Sequence, residues 1–185
     1  ENITGYFDKT INGSNSTFIL NNTDEYELGK IIKKFGEEKN YKKIAKSIIK
    51  YSKEGKMNTT YQLKDAITET ANPKYVNKTL SRVFQSIRIE VNQELSALSD
   101  FLIQLPKVLN KCGVICIITY HSLEDRLVKS FFKTGHCDGS VEKDFYGNIS
   151  KPFTVINKKP ITPKMEEIRL NPRARSAKLR IAIKN

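Results

Sequence analysis

The sequence of 185 residues lacks several features that would define its class at once. It contains no apolar run approaching the roughly 20 residues of a membrane-spanning helix. Its first residues have neither the basic start nor the apolar stretch of a secretory signal. Its three cysteines form no Cys-x-x-Cys pair. We therefore expect reduced thiols, no membrane partner and a cytoplasmic location.

Histidine is equally scarce, which argues against a metal site. Only His121 and His136 are available to join the cysteines in a zinc site, and their spacing is irregular. Cys112 and Cys116 flank or enter an apolar segment, where cysteine behaves as a small apolar side chain. The sequence predicts no bound metal.

Positive charge, in contrast, is abundant. The chain carries 32 Lys and Arg against 20 Asp and Glu, a formal net charge of +12. Most of the basic residues are lysines in a chain that is also rich in Ile and Asn, so part of the excess reflects overall composition. Residues 158–185 differ, because they hold nine basic residues and only two acidic ones. This concentration predicts an anionic partner for the C-terminal segment.

The first half of the chain has the pattern of a helical domain. Residues 1–23 are rich in Asn, Ser and Thr, which predicts a polar leader or loop. From Asp24, apolar residues recur at helical spacing in segments that stop near Gly36 and Gly55. Thr59 or Thr60 is predicted to cap a third helix. A longer helical pattern covers residues 78–109, with a break near residues 91–93.

The second half alternates between strands and helices. Residues 113–119 form a continuous apolar run, which predicts a strand covered on both faces, as in a parallel sheet flanked by helices. Ser122 is predicted to begin a helix. Residues 153–156 are predicted to form a second strand. Pro163 marks a helix start. Residues 177–184 alternate between apolar and basic, which predicts a half-exposed strand, antiparallel or near a sheet edge. The element order predicts an α/β fold.

The segment that follows the first predicted strand is the first candidate site. In open α/β sheets, ligands bind outside the carboxyl ends of the strands. His121 can exchange a proton near neutral pH, and Glu124 and Asp125 follow it closely. A structural interpretation competes with this one, because Ser122 and Asp125 have the spacing of a capping box. Arg126 would then pair with a neighbouring acid.

Two further groups are candidates for binding. Arg88 and Asn92 lie four residues apart on one helical face with Glu94 close by, so they face a partner or form an intrachain salt bridge. Arg173, Arg175, Ser176, Lys178 and Arg180 form a compact basic cluster next to the last strand. A guanidinium group can donate two parallel hydrogen bonds to phosphate oxygens. The arginines therefore favour an anionic partner over a basic terminus that is only exposed to solvent.

Three segments together carry a resemblance to a known family. They are residues 84–95 (FQSIRIEVNQEL), 118–129 (ITYHSLEDRLVK) and 171–180 (NPRARSAKLR). In this order they resemble the small-subunit ribosomal RNA cytosine-N4 methyltransferases. Residues 35–39 and 43–49 also resemble the helical segment of that family. The resemblance covers the chain from about residue 21 to its end.

The resemblance implies an activity and a division of the chain. It implies S-adenosylmethionine-dependent methylation of the N4 atom of a cytidine in 16S rRNA, within the small ribosomal subunit. Residues 24–91 would form an inserted helical, substrate-recognition domain. Residues 92–185 would form the closing half of a Rossmann-like methyltransferase sheet. His121, Glu124 or Asp125 would accept the amino proton. The RNA would be contacted by Arg88, Asn92, Ser122, Arg126, Arg173, Arg175, Ser176 and Lys178.

One departure from the family pattern is large. The nine glycines include no pair spaced by two, so the glycine-rich cofactor turn of such enzymes is missing. We therefore expect a fragment, a truncated product or one part of a split enzyme, which requires an N-terminal half and does not bind the cofactor alone. A non-catalytic RNA- or protein-binding module is the rival hypothesis, and a degenerate remnant is a third.

Overall fold

The computed structural model describes residues 16–55, 57–141, 145–147 and 151–185. The chain divides into two compact units, one ending at Glu94 and the other beginning at Leu95. This division lies three residues beyond the predicted boundary at residues 91 and 92. None of the helices in the described ranges combines the length and apolar character that crossing a bilayer requires.

The first unit is helical. Its α-helices are α1 (Ser16–Asn22), α2 (Glu25–Gly36), α3 (Tyr41–Lys53), α4 (Thr60–Thr70) and α5 (Val76–Asn92), with a 3-10 turn at Pro73–Tyr75 before α5. The predicted cap at Thr59 is confirmed, because its side chain accepts from Gln62 N–H. Asp24 also caps a helix, since its side chain accepts from Glu27 N–H. A residue with positive φ, Gln93, ends α5 at the predicted break.

The polar leader predicted for residues 1–23 is wrong in its described part. Residues 1–15 lie outside the described residues, but Ser16–Asn22 is a helix. Leu20 is fully buried in the core of the first unit, and Ile19 packs against that core. Burial of these two side chains stabilises a helix whose polar composition alone favours a loop.

The second unit combines a small sheet with helices. Its elements are α6 (Glu94–Val108), β1 (Val114–Thr119), α7 (Ser122–Thr134), β2 (Phe153–Val155), α8 (Met165–Leu170), a 3-10 turn (Pro172–Ser176) and β3 (Lys178–Lys184). The first residue of α6, Glu94, is the last residue of the first unit. The sheet has the order β1-β3-β2, and β3 is antiparallel to both neighbours. The α/β class is therefore confirmed, and the antiparallel last strand lies at the centre of this small sheet.

The double burial predicted for the first strand is wrong for the described residues. Val114 and Ile118 are 56% and 57% exposed, and only Ile117 and Thr119 are buried. Helices α6 and α7 contribute Leu102, Leu105 and Phe131 to the same core as Ile117, so one face of β1 is covered. The other face remains open among the described residues, although it is equally apolar.

The side of β3 that is buried is the one that carries the basic residues of the alternating pattern. Arg180 and Ala182 are buried, at 5% and 0% exposure, although the apolar residues of the alternating pattern are Leu179, Ile181 and Ile183. The register pairs Ile118 with Leu179, Cys116 with Ile181 and Val114 with Ile183. In an antiparallel pair, such directly opposed residues lie on the same face. The apolar side of β3 therefore continues the open face of β1.

Candidate functional site

The turn after β1 is closed by His121 rather than by Ser122. His121 is the N-cap of α7, with extended backbone angles, and its Nδ1 accepts from the N–H of Glu124 at 3.3 Å. In return, Glu124 Oε2 accepts from the N–H groups of Tyr120 at 2.8 Å and His121 at 3.2 Å. The predicted pairing of Ser122 with Asp125 is wrong, because the capping box lies one residue earlier.

This capping arrangement determines the proton position on His121. Since Nδ1 accepts a hydrogen bond, a neutral ring carries its proton on Nε2. Nε2 lies 3.4 Å from Glu124 Oε1, and the His121 side chain is only 8% exposed. A ring held in this way keeps a defined orientation beside a carboxylate.

Asp125 lies on the inner side of α7, in a buried ion pair. Arg180 donates from Nε to Oδ1 at 2.7 Å and from Nη2 to Oδ2 at 3.1 Å. Lys178 Nζ adds a longer contact of 3.4 Å to Oδ2. Burial by itself raises the pKa of Asp125, but the hydrogen bonds and charges of Arg180 and Lys178 outweigh it and lower the pKa below 3.8. Asp125 therefore remains a carboxylate.

Much of the positive charge of the last strand is used within the chain. Lys178 and Arg180 contact Asp125. Lys184 Nζ donates to the carbonyl oxygens of Pro106 and Leu109, each at 2.6 Å, at the end of α6. These three residues therefore attach β3 to the helices of its own unit. These basic residues of the C-terminal segment therefore stabilise the fold.

The 3-10 turn before β3 is more accessible. Arg173, Arg175 and Ser176 are all exposed, whereas Ala174 is buried. The side chain of Asn171 accepts from Arg173 N–H at 3.2 Å, and this contact stabilises the start of the turn. Anchored at Ala174, the turn presents two arginines to solvent in a geometry that phosphate oxygens can approach.

Arg88 and Asn92 lie in the first unit and converge on one carboxylate. Arg88 donates from Nε to Glu94 Oε1 at 2.8 Å and from Nη2 to Oε2 at 3.1 Å. Asn92 Nδ2 donates to Glu94 Oε1 at 3.1 Å. The intrachain salt bridge that the spacing allowed is therefore present. The Arg88 side chain is nevertheless 46% exposed.

Comparison with known proteins decides the family. The sequence profile of the MraW methylase family matches residues 8–185. The chain belongs to this family. The predicted resemblance is confirmed.

Named relatives of this MraW-family chain agree with the match. A protein of Azobacteroides pseudotrichonymphae genomovar. CFP2, named ribosomal RNA small subunit methyltransferase H, is 45% identical over 172 residues, which are 93% of the chain. Identically named proteins of Flavobacterium johnsoniae and Phocaeicola vulgatus are 44% and 42% identical, over 94% and 93% of the chain. In each case the chain spans 57% of the length of the relative.

Direct contacts join several of the candidate residues within the second unit of this MraW-family chain. The structure joins His121 to Glu124, and Asp125 to Lys178. Ser122 and Arg126 are exposed on α7, and Arg173, Arg175 and Ser176 on their turn. Sequence reasoning missed Arg180 as the partner of Asp125. No local pattern could identify it, because 55 residues separate the two.

Proposed function

We propose that this chain is the C-terminal part of an S-adenosylmethionine-dependent enzyme that methylates N4 of a cytidine in 16S rRNA, within the small ribosomal subunit. Family membership and the printed names of the relatives support RNA methylation. The chain covers 57% of these relatives. We infer that the remainder of such a protein contributes the rest of a Rossmann-like sheet, and that residues 24–91 form a substrate-recognition domain.

The open sheet face is the observation that carries this proposal. We use this name for Val114, Cys116 and Ile118 of β1 with Leu179, Ile181 and Ile183 of β3. A small hollow of about 150 Å³, lined in part by Ile118, Ile161 and Leu179, lies at this face. β1 pairs with β3 alone among the described strands, so its other edge is open. Such a face and edge suit further strands and helices of the same enzyme.

The residues of this chain do not fit the cofactor. There is no Gly-x-Gly turn in the sequence. At the end of β1, the N–H groups of Tyr120, His121 and Glu124 already donate to side chains of the same turn. We therefore assign the S-adenosylmethionine site to the N-terminal half.

The chemistry of N4 methylation requires a proton acceptor on the substrate side. The lone pair of the amino nitrogen is delocalised into the cytosine ring, so an acceptor on its N–H assists rehybridisation and takes the proton. Glu124 supplies an oriented carboxylate for this role. His121 could take the proton only at Nδ1, in place of the capping hydrogen bond that Nδ1 accepts from Glu124 N–H. Asp125, whose two oxygens accept from Arg180, acts instead as a positioning residue for α7.

The RNA contacts follow from charge and exposure. We propose that Arg173, Arg175 and Ser176 on the exposed turn, with Arg126 and Ser122 on α7, hold RNA phosphates and riboses. Arg88 and Asn92 would contribute from the helical unit, and the half-exposed Lys178 would add positive charge near α7.

Reconstitution tests the proposal. The chain is mixed with the N-terminal part of a relative, and transfer of labelled methyl to small-subunit RNA is measured. We expect transfer to cytidine N4 with both parts and none with the chain alone. Stoichiometric cofactor binding by the chain alone, measured by calorimetry, would contradict the missing-half assignment. Methylation at another atom would contradict the substrate assignment.

A non-catalytic RNA-binding module is the second candidate, favoured by the exposed arginines at positions 173 and 175. It predicts RNA affinity that falls steeply with salt, and no methyl transfer even after reconstitution.

A further inference from the structure

A second cavity lies on the covered side of the sheet, away from the turn at His121. Its volume is about 340 Å³, near the lower end of the roughly 300–1,000 Å³ range of small-ligand sites. Helix α7, strands β2 and β3 and the segment after β2 provide its lining. The lining residues are Lys129, Phe132, Lys133, Val155, Lys158 and Arg180.

The lining combines an apolar floor with positive charge. Phe132 is buried and Val155 is half-buried. Lys129, Lys133 and Lys158 are exposed, and no acidic side chain in the described part of the chain pairs with them. Lys129 and Lys133 are four residues apart on α7, so they lie on the same helical face and repel each other. An anion between them would relieve this repulsion.

Arg180 adds an oriented guanidinium to the cavity. Its Nε and Nη2 atoms donate to Asp125, which holds the group in one orientation. Within the described ranges, Nη1 has no hydrogen-bond acceptor, although Arg180 lines the cavity. A guanidinium with one edge bound to a carboxylate can still direct its remaining N–H groups to a phosphate oxygen.

We propose that this cavity binds one nucleotide of the RNA substrate, with its phosphates on the lysines and its base or ribose on the apolar floor. The proposal rests on the proposed RNA methylation. Bases unstacked from a single strand are commonly held on apolar or aromatic surfaces beside basic side chains. Lys129 follows His121 by eight residues, roughly 12 Å along a helix. The cavity therefore accommodates a neighbour of the methylated nucleotide.

Charge-matched variants of the full 185-residue chain test this assignment. Lys129→Gln combined with Lys133→Gln removes two charges from the cavity. Lys107→Gln combined with Lys111→Gln removes two exposed charges of the same unit that do not line it. Binding of a fluorescent single-stranded RNA of about 12 nucleotides is measured by anisotropy at several salt concentrations. Circular dichroism confirms that each variant is folded.

The cavity variant is expected to bind RNA about 10-fold more weakly, and its slope of log affinity against log salt should fall by about 1–2. The control variant should change affinity less than about twofold. Equal weakening in both variants would overturn the assignment, since charge alone would then explain it. Wild-type affinity for free cytidine monophosphate equal to that for RNA would also overturn it, in favour of a small-ligand site.

The outcomes separate this proposal from the proposed function. A cavity-specific loss of RNA binding with no methyl transfer after reconstitution would support the cavity and contradict the enzyme. Methyl transfer with no effect of the cavity variant on RNA binding would support the enzyme and contradict the cavity. The absence of salt-dependent RNA binding in the wild-type chain would overturn the cavity assignment.

Discussion

Arg180 of the last strand and Asp125 of helix α7 form a two-point ion pair across 55 residues of sequence, with contacts of 2.7 and 3.1 Å. Asp125 follows His121 by one helical turn, so the pair also determines where the cap of α7 lies. In this way a buried salt bridge positions the candidate proton acceptors without touching a substrate.

Asp125→Asn is expected to destabilise the second unit by about 3 kcal/mol, because it leaves Arg180 buried without a counter-charge. Hydrogen exchange of the β3 amides reports this loss directly. The double variant Asp125→Leu with Arg180→Met should be more stable than Asp125→Asn. A double variant less stable than the single one would show that the ion pair is not the cause.

Acid should remove the contribution of the same pair. The pKa of Asp125 is lowered in the folded chain, so the unfolded chain binds a proton more readily. The stability that the pair contributes is therefore present above the unfolded pKa of about 3.9 and is lost as pH falls below it. Urea unfolding at pH 6 and pH 3 should show the gap between wild type and Asp125→Asn shrinking at pH 3. A constant gap would contradict the titration.

His121→Asn separates capping from catalysis. Asparagine is a good N-cap, so this variant should retain the stability of α7, whereas His121→Ala should lose about 1 kcal/mol. If the imidazole accepts the substrate proton, both variants should lose about 10²-fold or more in methyl transfer by the reconstituted enzyme. Normal turnover by His121→Asn would limit His121 to capping.

Two glycines of α2 should respond in opposite ways to alanine. A Cβ on Gly36 would lie 2.8 Å from the carbonyl oxygen of Arg82 on α5, so Gly36→Ala should cost about 1–3 kcal/mol. A Cβ on Gly29 would meet Tyr41 at 3.4 Å, an ordinary contact, so Gly29→Ala should gain up to about 1 kcal/mol in helix propensity. Thermal unfolding by circular dichroism distinguishes them, and equal effects would contradict the close approach of α2 and α5.

The two faces of β1 should also differ. Ile117→Thr places a hydroxyl in the core and should cost about 1–3 kcal/mol, whereas Ile118→Thr on the open sheet face should cost less than about 0.5 kcal/mol in the chain alone. If the N-terminal half covers that face, Ile118→Thr should weaken reconstitution, measured as the concentration needed for half-maximal methyl transfer. Unchanged reconstitution would contradict the proposed role of the open sheet face.

Local patterns predicted most of the helices and strands, because their signals lie within a few residues. The helical pattern begins at Asp24, next to the first residue of its helix, and Thr59 caps the third predicted helix. The break at Gln93 lies where the long helical pattern weakens. The cap of α7 was misassigned by one residue, since an imidazole took the role expected of the Ser122 hydroxyl. The helix at Ser16–Asn22 was missed because its stability comes from packing of Leu20.

The family, the order of elements and the lack of a glycine-rich turn are properties of the sequence, since each is a matter of which residues follow one another. The partner of Asp125, the burial of Arg180 and the cavity beside Lys129 required the fold. Each depends on side chains that lie far apart in the sequence and meet only when β3 enters the sheet between β1 and β2. The same holds for the positive charge. The excess of basic residues is known from composition, but burial and ion pairing in the fold determine which basic side chains remain available to a ligand.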